Sequence, residues 1–191
     1  MGSPSSPRKV LFIHGGGEGA YETDALLAAA LQEALGPTYE LHFPRMPEEE
    51  EATYADWRAR IAAELSAGTD EIVLVGHSLG GAILVKYLAE ERVERPIAGL
   101  YLLAAPYIAR DGGWRFDDLS LPQDVEGELG GVPRMFLYHG RDDEIVPFAH
   151  LALYRARFPG AIGRAFSGRG HQFDNDLSEV AADVREGEVG P

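Results

Sequence analysis

Cysteine is absent from this sequence, which excludes disulfide bonds, cysteine-ligated zinc sites and catalysis by a thiol. Lysine is nearly absent as well, since only Lys9 and Lys86 occur, and Schiff-base chemistry therefore has little basis. Long apolar runs are missing too, because none approaches the ~20 residues that a membrane-spanning helix needs. The composition therefore excludes a thiol enzyme and predicts no membrane-spanning helix.

Positive charge is scarce relative to negative charge. The chain has 17 Lys and Arg residues against 31 Asp and Glu residues, and its formal net charge is −14. A surface of this sign repels phosphate groups, which argues against nucleic acids and anionic membrane surfaces as partners. Residues Met1 to Pro7 lack the apolar core of a signal peptide. The expected location is therefore cytoplasmic.

Length and composition predict one globular domain. The chain has 191 residues, of which 45% are hydrophobic and 25% are charged, and these values suit a single core. We interpret residues 1–8 as a flexible N-terminal tail and residues 9–191 as a single domain.

Strand-like and helix-like segments alternate along this domain. Apolar runs predict strands at 9–13, 39–43, 72–75, 97–103, 134–138 and 161–166. Helical spacing of apolar side chains predicts helices between them, with the last one beginning near Phe173. Because the apolar runs are continuous rather than alternating, the strands are expected to be buried on both faces. The fold class is therefore α/β: a three-layer α/β/α sandwich with a mostly parallel sheet of about six strands.

The segment Gly76-His77-Ser78-Leu79-Gly80 has the pattern of a nucleophile elbow. It follows the apolar run 72–75 and precedes the apolar run 82–89, the strand–turn–helix context in which Gly-x-Ser-x-Gly exposes its serine. Ser78 is the predicted nucleophile, and a helix that begins there directs its free N–H groups toward an oxyanion. The alternative is an ordinary strand-to-helix turn with an idle serine.

A serine nucleophile needs a base, a carboxylate that orients the base, and donors for the oxyanion. His171, just past the last predicted strand, is the candidate base because imidazole exchanges protons near neutral pH. Asp143, past the preceding strand, is the candidate that would fix the histidine tautomer, with the adjacent Asp142 as the alternative. The candidate oxyanion donors are the N–H groups of Leu79 and of Gly16 or Gly17.

Three other histidines lie at or near strand ends. His77 directly precedes the serine, where a side chain normally packs inward, so we interpret it as structural. His14 and His139 each precede a glycine, and a cluster with His77 and His171 is conceivable. No His-x-x-x-His helix or carboxylate spacing supports a metal site there, and no metal is predicted.

Four motifs fall in order on the predicted strand ends: His14-Gly15-Gly16-Gly17, Gly76-His77-Ser78-Leu79-Gly80, Asp143-x-x-Val146-Pro147 and Gly170-His171-Gln172-Phe173. Together they resemble the α/β-hydrolase superfamily from about residue 9 to residue 184. The chain length and the last two motifs look most similar to the small serine hydrolases related to retinoblastoma-binding protein 9. The resemblance implies a Ser-His-Asp esterase-like enzyme without metal or organic cofactor. The spacing between the aspartate and Val-Pro in that superfamily implies that Asp143, rather than Asp142, orients the histidine.

Residues 104–131 follow the strand 97–103, at the place where α/β hydrolases commonly insert a cap. A segment of fewer than thirty residues is too short for a helical cap domain, so we expect a minimal hydrolase fold with a short flap beside the serine. The predicted substrate-binding residues are Tyr107, Trp114 and Phe116. The alternative is that Trp114 and Phe116 anchor the loop to the body of the protein.

The sequence thus predicts a serine hydrolase that acts by acyl transfer on a small-molecule ester, thioester or amide. The alternative is a non-catalytic binding or scaffold protein on a hydrolase fold, because fold and site geometry do not by themselves prove turnover. The sequence identifies neither the substrate nor a protein partner.

Overall fold

The structure is a computed structural model, and it describes residues 6–108, 119–122, 125, 129 and 131–187. Strands and helices alternate along the chain. In order they are β1 (Arg8–Ile13), α1 (Ala20–Leu35), β2 (Tyr39–His42), α2 (Tyr54–Ser66), β3 (Ile72–His77), α3 (Ser78–Glu90), β4 (Ile97–Leu103), β5 (Met135–Gly140), α4 (Ala149–Arg157), β6 (Ile162–Phe166) and α5 (Ser178–Glu186). Short 3₁₀ segments occur at Glu49–Glu51 and Phe173–Asn175.

The six strands form one sheet in the order β2-β1-β3-β4-β5-β6. Every neighbouring pair is parallel, so the carboxyl ends of all strands lie along one edge of the sheet. The predicted α/β sandwich with a mostly parallel sheet of about six strands is confirmed. Loops that follow β1, β3, β5 and β6 meet at that edge, which is where open α/β sheets place their ligands.

Helices cover both faces of the sheet. One face carries α1 and α5, whose buried side chains, such as Leu31 and Val180, pack with Phe12 of β1. The other carries α2, α3 and α4, and Trp57 and Ile83 belong to that core. The central strand β3 is buried along its whole length, whereas β6 at the edge is largely exposed. The continuous apolar runs in the sequence reflect this burial between two helix layers.

The last helix begins later than the apolar spacing predicts, at Ser178 instead of near Phe173. Three consecutive residues before it, Phe173, Asp174 and Asn175, have positive φ angles of 52°, 51° and 55°. A run of left-handed residues cannot continue a right-handed helix. Phe173 is nevertheless 1% exposed, because the turn inserts its ring into the core beside Phe166. Phe173 matches the helical spacing of the apolar residues in α5 because it is buried, although it belongs to the turn before the helix.

The segment after β4 is described in part. Leu119 and Leu129 are buried in the core beside α3 and α4, and the Lys86 side chain donates to the Ser120 carbonyl oxygen at 3.1 Å. The predicted substrate-binding residues Trp114 and Phe116 lie outside the described residues. The part of the chain that the structure describes contains no cap domain and no helix that could cross a membrane.

Candidate active site

Ser78 stands at the junction of β3 and α3 in a strained backbone conformation. Its φ angle is 49°, in the left-handed region that costs a non-glycine residue free energy. Glycine is required on both sides of it because neighbouring groups leave no room for a side chain. A Cβ on Gly76 would lie 2.6 Å from the Gly81 Cα, and one on Gly80 would collide with the carbonyl oxygens of Ile13 and His14. The segment is thus a tight strand–turn–helix elbow with a half-buried serine at its apex.

His171 and Asp143 contact each other at the ends of β6 and β5. The His171 Nδ1 atom lies 3.0 and 2.9 Å from the two carboxylate oxygens of Asp143. Asp143 Oδ1 also accepts hydrogen bonds from the N–H groups of Ile145 and Val146, at 2.9 and 2.8 Å. Its side chain is 0% exposed. The carboxylate is therefore fixed by backbone donors and faces one nitrogen of the imidazole, which leaves Nε2 for a second partner.

The pKa of Asp143 responds to two opposing effects. Burial alone raises it, but hydrogen bonds from His139, His171 and Val146 outweigh burial and hold the pKa well below its ordinary value. The group is therefore a carboxylate at neutral pH, as a residue that stabilises an imidazolium must be.

Asp142 has a different set of partners from its neighbour. Its carboxylate accepts hydrogen bonds from the Gly168 N–H at 2.9 Å and from the Gly170 N–H at 3.2 Å. These donors belong to the base loop, the name used here for residues 167–172. Asp142 thus binds the backbone of the loop that carries His171, whereas Asp143 contacts the imidazole itself.

The candidate oxyanion donors differ in their availability. The Leu79 N–H lies in the first turn of α3, where N–H groups have no partner within the helix. None of the described residues accepts a hydrogen bond from the Gly16 N–H. A Cβ on Gly16 would collide with the Leu79 side chain, so Gly16 and Leu79 are in close contact. The Gly17 N–H donates to the Glu49 carbonyl oxygen at 2.6 Å. The geometry therefore favours Gly16 over Gly17 as the second donor.

A cleft of about 860 Å³ opens over Ser78 and His171. Leu79 and Ile145 contribute apolar surface to its lining, and Ile145 is 49% exposed. Six exposed carboxylates surround the opening, and we call them the acidic rim: Glu18, Glu50, Glu51, Asp142, Glu144 and Asp174. Among the described lining residues Arg169 is the only arginine or lysine, and its guanidinium binds both carboxylate oxygens of Glu179. The electrostatic potential at the opening is therefore negative.

Tyr107 is placed away from this cleft. Its ring packs edge-on against Tyr154 of α4, with ring centroids 5.2 Å apart, and its N–H donates to His150 Nδ1 at 2.8 Å. It is not among the residues that line the cleft. The ring of Tyr107 thus contributes to the packing of α4, and its role as a substrate contact stays a prediction.

Sequence reasoning missed Asp24, a carboxylate of α1 that lines the same cleft although it is only 1% exposed. A signal was present in the sequence. Asp24 precedes Leu27, Leu31 and Leu35 at helical spacing and so continues the buried stripe of α1 toward its N-terminus. A charged residue on a buried stripe requires a partner, and that requirement points to a functional region.

The histidines near the strand ends each have protein partners. His14 Nδ1 donates to the Gly15 carbonyl oxygen at 2.6 Å, and its Nε2 accepts from the Met46 N–H at 2.8 Å. His139 Nε2 lies 2.8 Å from the Val146 carbonyl oxygen. Within the described residues, no group of three or more His, Asp or Glu side chains is arranged to hold a metal ion.

Comparison with known proteins gives a family match over nearly the whole chain. The sequence profile of the alpha/beta hydrolase family matches residues 10–186. No curated protein matches the sequence.

Three solved structures illustrate the similarity of fold. The ydeN gene product from B. subtilis is 17% identical, with a TM-score of 0.73 and coverage of 94% of this chain and 98% of that one. A 2-hydroxy-6-oxo-6-phenylhexa-2,4-dienoate hydrolase from Rhodococcus is 16% identical, with a TM-score of 0.73 and coverage of 97% and 92%. A serine hydrolase from the polyaromatic-hydrocarbon-degrading bacterium Cycloclasticus zankles is 15% identical, with a TM-score of 0.73 and coverage of 95% and 89%. The TM-scores show a shared fold, and at identities this low the comparison shows the fold alone.

Proposed function

This chain belongs to the α/β-hydrolase family, and from that premise we propose that it is a serine hydrolase with Ser78, His171 and Asp143 as its catalytic triad. The observation that supports the proposal most is the pairing of His171 Nδ1 with the buried Asp143 carboxylate in a cleft that Ser78 also lines. A hydrogen bond that Nδ1–H donates to the carboxylate fixes the tautomer whose Nε2 can accept the serine proton.

In the proposed reaction, Ser78 Oγ attacks the substrate carbonyl carbon while His171 takes the serine proton. The negative charge that develops on the carbonyl oxygen is stabilised by the N–H groups of Gly16 and Leu79. The intermediate then expels the alcohol, thiol or amine, which receives its proton from His171. A water molecule, deprotonated by His171, attacks the acyl-serine and releases a carboxylic acid and free Ser78.

The substrate proposed is a small neutral or cationic ester, thioester or amide. Leu79 and Ile145 offer an apolar wall for its acyl or leaving group, and the acidic rim disfavours an anion. The Rhodococcus structure is named for a dienoate, which is a carboxylate anion, and we do not transfer that substrate to this chain. The closer kinship with the hydrolases related to retinoblastoma-binding protein 9 likewise stays a proposal based on sequence motifs.

The test uses a fluorophosphonate probe, which reacts covalently with activated serines. We expect it to label the wild-type protein at Ser78, and we expect Ser78→Ala to abolish labelling and to reduce p-nitrophenyl acetate turnover by about 10³-fold or more. Ser66→Ala, at the end of α2 and outside the cleft, is the matched control and should behave as wild type. Labelling at another serine, or unchanged turnover in Ser78→Ala, would contradict the proposal and favour a binding protein that does not turn over substrate.

A further inference from the structure

A second buried carboxylate lies beside the proposed triad without belonging to it. Asp24 Oδ2 accepts a hydrogen bond from the Gly15 N–H at 2.8 Å and lies 2.7 Å from His77 Nδ1. Its Oδ1 accepts from the Gln172 side-chain amide at 3.2 Å. Gly15 belongs to the loop after β1, His77 to the elbow and Gln172 to the base loop. One side chain of α1 therefore binds three of the four segments that carry the proposed chemistry, all except the loop of Asp143.

His77 extends this connection to the backbone of the proposed base. Its Nε2 lies 3.1 Å from the His171 carbonyl oxygen, and the two imidazole rings are 4.7 Å apart between centroids. Both nitrogens of His77 thus face acceptors, namely a carboxylate and a carbonyl. Both hydrogen bonds can form together only when the ring carries two protons.

Asp24 and His77 are both buried, with side chains 2% and 1% exposed. Burial by itself raises the pKa of Asp24, but His77 and the donors at Gly15 and Gln172 outweigh burial and hold the pKa below its ordinary value. Asp24 is therefore a carboxylate at neutral pH. Removing one donor from a buried carboxylate costs free energy, so the hydrogen bonds of Asp24 hold its partners in place.

We propose that Asp24 is a positioning residue, which acts through His77 and Gly15 to fix the loop after β1 and the backbone of His171 relative to Ser78. This role rests on the proposed function. Oxyanion donors and a base act only when held close to the geometry of the transition state. Asp24 supplies that alignment without touching the reacting atoms.

The first test is Asp24→Asn, which keeps the shape and one acceptor oxygen but removes the charge. Both carboxylate oxygens of Asp24 have partners, so replacing one oxygen with an NH2 group disturbs at least one of the contacts to Gly15, His77 and Gln172. We expect kcat for p-nitrophenyl acetate to fall by at least about tenfold, approaching ~10²-fold, while KM stays nearly constant, because the lost alignment matters in the transition state. Enzyme concentration is measured by fluorophosphonate titration. Asp24→Asn that retains wild-type kcat while folded would overturn the proposal.

The matched control is Asp183→Asn, which neutralises a buried aspartate that does not line the cleft. Asp183 is 3% exposed, accepts a hydrogen bond from the Tyr138 hydroxyl at 2.6 Å and pairs with Arg164. We expect this change to lower the free energy of unfolding and to leave kcat unchanged. An equal loss of kcat in both variants would mean that Asp24 acts only through stability, and this result would also overturn the proposal.

His77→Gln provides a second, independent variant if Asp24→Asn does not fold. The glutamine amide can keep a donor toward the His171 carbonyl but loses the bond to Asp24. We expect a loss of kcat with little change in KM, and we expect the double variant to be no worse than Asp24→Asn alone, because the two residues act in one chain. Wild-type kcat in His77→Gln, or fully additive losses, would contradict the proposal. Absence of probe labelling in the wild-type protein would instead defeat the proposed function, and the positioning role with it.

Discussion

Asp142 and Asp143 are neighbours in sequence but hold different parts of the same site. Asp143 contacts the His171 ring, whereas Asp142 accepts two backbone N–H groups of the base loop. An amide at position 143 keeps the shape but no longer selects the tautomer that can accept the serine proton. We expect Asp143→Asn to reduce kcat by up to ~10⁴-fold.

Asp142→Asn is the matched comparison, because it changes the same group one residue away. Its loss should be about tenfold at most, since the amide oxygen still accepts one of the two loop N–H groups. Steady-state kinetics on p-nitrophenyl acetate measures both variants. A crippling loss in Asp142→Asn with a mild one in Asp143→Asn would require that the triad be redrawn around Asp142.

The triad candidates could be identified from sequence because each one follows a strand and carries a local motif. Asp24 and Tyr107 could not be placed in the same way. Asp24 meets His77 across 53 positions of sequence, and no local pattern encodes that contact. Tyr107 follows β4, the strand that pairs with β3 in the sheet, and its ring packs against Tyr154 of α4. The ends of strands can thus be predicted from the sequence, whereas the direction of a side chain in a loop depends on tertiary packing.

At the scale of elements, His14 connects the end of β1 to the segment between β2 and α2. Its Nε2 accepts from the Met46 N–H, which is possible only while that nitrogen carries no proton. Burial lowers the pKa of His14 below its ordinary value of 6.5, so the folded protein keeps the ring neutral where the unfolded chain binds a proton.

The free energy of unfolding should therefore fall as the pH is lowered below about 6.5, down to the depressed pKa of the folded state. His14→Gln offers an acceptor for Met46 that does not titrate, so we expect its stability to decline less between pH 7 and pH 5. Asp24 and Asp143, whose pKa values are lowered, lose their contributions only in more acidic solution. Urea unfolding at pH 7, 6 and 5 measures the difference. Parallel curves for the two proteins would contradict this role of His14.

At the scale of the whole molecule, the net charge of −14 and the acidic rim both make the electrostatic potential at the cleft more negative. A negative potential at the cleft raises the local concentration of cations and lowers that of anions. We expect a p-nitrophenyl ester that carries a trimethylammonium group to show a kcat/KM about tenfold above that of a matched ester with a carboxylate. The ratio should shrink between low salt and 0.5 M NaCl because of screening.

The double variant Glu50→Gln/Glu51→Gln removes two charges of the rim and should reduce the ratio further. Glu33→Gln, on the exposed side of α1 and outside the cleft, is its control and should leave the ratio unchanged. A ratio that is independent of both salt and the rim charges would contradict a role for the rim in substrate choice.

The order of the strands also has a consequence for how the protein acquires reactivity during synthesis. Gly16 follows β1 and Ser78 directly follows β3, and both strands have been synthesised once the chain has reached His77. Asp143 and His171 follow β5 and β6, and these strands join the sheet through one ladder, Leu100–Leu103 against Met135–Tyr138. Domains gain structure from the N-terminus as the chain emerges. With the proposed triad, a nascent chain can therefore fold its serine-bearing half while the serine is still chemically inert, and Ser78 becomes reactive only when the last strand docks.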